Sequence, residues 1–233
     1  MRGRGDRLVR LADSDRILSG DECEAIAKRA LGFARAGGET NVRILSWWNG
    51  ELRWARNRVS LASDRRDIRV EVWRDVRGGR GMVTTNQVDD VSLEAAVRAA
   101  ERVAPLSRER HPVSFHPPMP RHERPQTPIW SDATYGLTTE ARGDAARALI
   151  ARSEAKGLLS AGYLEMRAAS MALLNSARMG SMPAPWDIPY VSWTQAQCSM
   201  TVRDPDGTGS GWAGLSGYDW GRIDAPALGE RAE

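Results

Sequence analysis

The chain has 233 residues, 41% hydrophobic and 27% charged, with 33 Lys plus Arg against 30 Asp plus Glu. That apolar fraction with a net charge of only +3 excludes disorder as the general state, and the length suits one large or two modest domains. No run approaches the roughly 20 apolar residues needed to cross a bilayer, so no membrane role is expected.

Residues 1–18 form a basic tail carrying Arg2, Arg4, Arg7 and Arg10, without the apolar core of a signal peptide. The spacing then predicts a helix over residues 19–36. Cys23, Ile26, Ala27, Ala30, Leu31 and Ala34 share one face, Ser19 with Glu22 makes a capping box, and Gly37-Gly38 ends it. The period changes to two in residues 42–48 and 51–55, which flank Asn49-Gly50, a pair suited to a tight hairpin turn. Ile68, Val70 and Val72 alternate with Asp67, Arg69 and Glu71 as a third strand, and Gly78 to Gly81 leads into a short return over residues 82–85. An antiparallel meander with one wet face is expected. A second helix follows, with Ser92 as N-cap, Leu93, Ala96, Val97 and Ala100 inward, and Pro105 as its stop.

Composition shifts at Pro105. Seven of the twelve prolines and all three histidines lie in residues 105–128, with no glycine among them. This reads as an extended connector over 105–130. Beyond it, residues 139–156 are predicted helical with Ala141, Ala145, Ala148 and Leu149 on one side, followed by strands over 158–174 and 190–202. An Asp204-Pro205-Asp206-Gly207 turn, a Gly-rich strand over 208–217 and a last helix from Asp224 complete the chain. The fold class is therefore α+β: a helix–meander–helix domain over 19–104, the linker, and a partial mixed unit over 131–233 with long antiparallel strands.

Chemistry is sparse. His122-Glu123 begins like a zinc-binding helix, but Gln126 and Thr127 stand where a second ligand is needed, and Pro125 and Pro128 break the helix. Between Arg43 and Arg80 ten arginines face five acids, interleaved with Trp47, Trp48, Trp54 and Trp73. A stand-alone nucleic-acid-binding module using this sheet is the alternative functional reading, although Trp54 shares a face with Leu52 and belongs to a core. The Gly-rich stretches lack the phosphate-loop pattern. Cys198, inside a strand with no base near it in sequence, reads as packed sulfur; both thiols are expected reduced. No catalytic, cofactor-binding or metal-binding residue is assigned.

The segments ELRWARNRVS (Glu51 to Ser60), RDVRGGRGMVTTN (Arg74 to Asn86) and DDVSLEAAVR (Asp89 to Arg98) resemble, in their order, the N-terminal domain of the TldD/PmbA family. The likeness continues through Asn175-Ser176 and RDPDGTGSGWAG (Arg203 to Gly214). The resemblance implies a zinc metallopeptidase system of the cytoplasm, acting on small or unfolded peptides and built from two related subunits. In that family a His-Glu-x-x-x-His helix carries the zinc. This sequence has no such motif and no histidine after His122. The implied role is cavity wall and partner interface for a related subunit, as a homo- or heterodimer. Zinc is expected in a longer or partner chain, and this chain alone is expected to be inactive. A truncated or split enzyme is the expectation, with apolar strand surface left open in the second unit.

Overall fold

The computed structural model describes residues 17–76, 78–107, 129–176 and 190–233. The order of elements is α1 (Gly20–Gly32), β1 (Glu39–Ala55), β2 (Arg58–Val76), β3 (Gly79–Thr85), α2 (Asp90–Val103), a 3-10 turn (Ala104–Ser107), α3 (Asp132–Tyr135) and α4 (Thr139–Ala155). Then come β4 (Leu159–Asn175), β5 (Val191–Arg203), β6 (Ser210–Gly217), a second 3-10 turn (Trp220–Arg222) and α5 (Ala225–Ala232). The strands make one six-stranded sheet in the order β3-β2-β1-β4-β5-β6, so the molecule is α+β as the alternating patterns indicate. The Pro-rich stretch lies almost wholly outside the described residues, and so do its histidines.

Two compact units are present, and each gathers three stretches of chain: 1–46, 67–126 and 170–191 in the first, 47–66, 127–169 and 192–233 in the second. β1 and β4 are 17 residues long and β2 is 19, three times an ordinary strand.

In the first unit the inward residues of β1 and β2 meet α1 and α2. Val42, Ile44, Val70 and Val72 pack with Ile26, Leu31, Leu93 and Val97 in a continuous apolar core. Each such side chain contributes roughly 1.5–3 kcal/mol by leaving water. α1 starts as its sequence indicates: Ser19 Oγ accepts from Glu22 N–H at 3.3 Å, and the Glu22 carboxylate accepts from Ser19 N–H at 2.8 Å. Ile17 and Leu18, at the end of the basic tail, are buried. Leu18 N–H donates to Ser46 Oγ at 3.0 Å, while Ser170 Oγ and the Tyr190 hydroxyl both donate to Leu18 C=O at 2.9 Å. β2 pairs with β3 from Val70↔Thr85 to Val76↔Gly79.

In the second unit Trp48, Leu52, Trp54, Leu164, Met166, Cys198 and Met200 are all at most 2% exposed, α4 packs against α5, and α5 packs against β6. Here β5 pairs with β6 from Ala196↔Gly217 to Arg203↔Ser210.

Four local expectations are corrected. Asn49-Gly50 is not a turn: both residues lie inside β1, and a Cβ at Gly50 would overlap the Arg142 guanidinium. The hairpin instead turns at Arg56 and Asn57, both with positive φ (50° and 61°). Asn57 holds that conformation through Nδ2, which donates to Leu158 C=O at 2.9 Å, and Oδ1, which accepts from Ser160 N–H at 2.6 Å. The N-cap of α2 is Asp89, whose carboxylate accepts from Ser92 N–H at 2.9 Å. The α1 helix ends at Gly32, with Phe33 as C-cap, four residues before the expected stop. Finally, α4 buries Arg142, Ala146, Leu149, Ile150 and Ser153 rather than its alanine face, because an arginine is accommodated inside.

Candidate functional site

Four arginines of β1 to β3, Arg43, Arg53, Arg74 and Arg80, are paired with acids. Arg43 pairs with Glu71 and stacks over the Trp73 ring at 5.1 Å, while Arg80 grips Asp75 with two bonds of 2.6 and 2.8 Å. Arg74, only 2% exposed in its side chain, bonds Thr40 Oγ1, Arg35 C=O at 2.8 Å and Glu101 at 3.3 Å. Burial opposes the charge on Glu101, but the Arg35 amide and the Arg98 and Arg74 guanidinium groups lower its pKa below the ordinary value. Of the interleaved tryptophans, Trp48 and Trp54 are buried with their indole N–H groups satisfied by Asp64 and Ser160. Stacking needs a free ring face, so Trp48 and Trp54 serve the fold.

In the second unit Asp64 is a hub. Its carboxylate accepts from Trp48 Nε1 at 2.8 Å, from Thr139 Oγ1 at 2.8 Å and from Arg142, whose guanidinium stands 5.7 Å from the Trp48 ring centre. Burial works against the charge on Asp64, yet these three hydrogen bonds and the Arg142 charge bring its pKa below 3.8. Trp54 Nε1 donates to Ser160 Oγ at 3.2 Å, and that hydroxyl donates to Asn57 Oδ1 at 2.7 Å. These clusters order the unit without exposing a reactive group.

A groove of about 420 Å³ opens in the same unit, lined by Ile129, Trp193, Thr194, Gln195, Ser216, Gly217 and Tyr218. Its frame is a hydroxyl network. Thr194 N–H donates to Ile129 C=O at 2.9 Å, and Thr194 Oγ1 accepts from Ser131 N–H at 2.9 Å while donating to Tyr218 C=O at 2.7 Å. Thr134 Oγ1 donates to the same carbonyl at 3.0 Å and accepts from Trp220 N–H at 2.8 Å, and Ser131 Oγ donates to Asp219 at 2.7 Å. The Ser131 hydroxyl is the main cause of the lowered Asp219 pKa. The walls are mainly apolar and aromatic, with Arg222 at the rim over the Tyr218 ring at 5.6 Å. Such a groove can hold a side chain or a short extended peptide but carries no acid, base or nucleophile in its lining. None of these hydroxyl contacts is legible in sequence, since Ser131 and Tyr218 lie outside regular elements and Thr134 sits in the four-residue α3, too short to show a period.

Neither thiol is a nucleophile. Cys23 and Cys198 are buried, and burial is the first cause that pushes both pKa values up to about 12. Among the described residues no three His, Cys, Asp or Glu side chains converge on a point where a metal ion fits. The described residues therefore offer no donor set for a zinc ion of the kind the family resemblance implies. The His122-Glu123 pair lies outside the described residues. No described helix is long and apolar enough to cross a membrane.

No family model and no curated protein matches the sequence. Solved structures do. A candidate modulator of a DNA gyrase from Thermotoga maritima aligns with a TM-score of 0.73 at 14% identity, over 90% of this chain and 46% of that one. TldE from Thermococcus kodakarensis aligns with a TM-score of 0.68 at 14% identity, over 90% and 46%. A candidate modulator of DNA gyrase from Bacteroides thetaiotaomicron gives 0.69 at 13%, over 92% and 49%. The chain thus has the fold of part of these proteins and spans about half their length.

Proposed function

We propose that this chain is the N-terminal portion of a TldD/PmbA-like metallopeptidase, working in the cytoplasm on small or unfolded peptides. In this reading it builds the wall of the peptide cavity and the face that meets a related subunit, and a His-Glu-x-x-x-His helix on another polypeptide carries the zinc. The observation that carries the reading is the fold shared with TldE over nine-tenths of this chain, joined to the family-like order of its sequence segments. The Ile129–Trp193–Tyr218 groove supports it as well: apolar, aromatic and free of reactive groups, it is suited to holding peptide rather than cutting it.

Metal analysis of the purified chain tests the division of labour. The expected result is no stoichiometric zinc and no peptide cleavage by the chain alone. One tightly bound zinc per chain overturns it.

A further inference from the structure

We draw no further inference here: the strongest candidate, the apolar groove of the second unit lined by Ile129, Trp193 and Tyr218, belongs to the site already described, and nothing in the structure shows what fills it.

Discussion

The two units solve the same problem, covering one face of long strands with helices, by different chemistry. The first fills the space with branched aliphatics: Ile26, Val42, Ile44, Val70, Val72 and Val97 are all fully buried. The second adds two tryptophans, Trp48 and Trp54, to its leucines and methionines. Each unit also buries one arginine, Arg74 in the first and Arg142 in the second. An aliphatic core draws its stability from area and tolerates volume-conserving change. A core keyed by Asp64–Arg142–Trp48 and Asn57–Ser160–Trp54 depends on those pairings, because an unpaired buried group costs more than a lost contact, and Arg142 Nε already stands without an acceptor among the described residues. The groove belongs to the second unit.

That contrast can be broken from either side. The largest effect is expected from Ile44→Ala in the first unit, which should cost about 2–5 kcal/mol in urea unfolding as a cavity opens in the aliphatic core. Ile44→Val should cost only about 1 kcal/mol. In the second unit, Arg142→Ala should cost about 2–3 kcal/mol, below the loss typical of a pair buried on both sides, because Asp64 remains 38% exposed and can rehydrate. Replacing both partners, Arg142→Met with Asp64→Leu, should recover much of that loss, and a double variant worse than Arg142→Ala contradicts the keyed-core account.

Smaller effects sharpen the contrast. Trp54→Phe keeps the ring but removes the bond to Ser160 and should cost about 1 kcal/mol. The pH dependence has a definite sign. The folded pKa of Asp64 lies below its unfolded value near 3.8, so its contribution is present above that value and is lost as pH falls through the folded pKa. Acid titration of wild type against Asp64→Asn should show the two stabilities converging below about pH 3.8, and parallel curves would contradict it. Ser19→Ala, which removes the α1 capping box, should cost about 1 kcal/mol. Both buried thiols should resist alkylation until the chain unfolds.

Much of the fold is legible because burial follows period. The α1 and α2 stripes, the Ile68–Val70–Val72 alternation and the Leu164–Met166–Ala168 alternation all lie where their spacing puts them. Where the pattern misled, tertiary contact outweighed local preference. Asn49-Gly50 carries a strong turn signal, yet Gly50 is needed in β1 to leave room for Arg142 and the Trp48 ring. The same arginine hid the true inner face of α4, since a charged residue is ordinarily counted as outward. Arg56-Asn57 forms the hairpin without any glycine, held by contacts from Leu158 and Ser160 more than a hundred residues on. The groove was illegible for the same reason, as its frame joins hydroxyls and carbonyls from segments far apart in sequence.

The central claim is that this chain supplies a wall and a partner face to a zinc-bearing chain. Cleavage of an unfolded peptide by a TldD/PmbA-type chain that carries His-Glu-x-x-x-His, measured while this chain is titrated in, tests it most directly. The account predicts that cleavage rises with added chain and saturates at a fixed stoichiometry, with all zinc in the partner. Cleavage indifferent to this chain, with no complex formed, would contradict it.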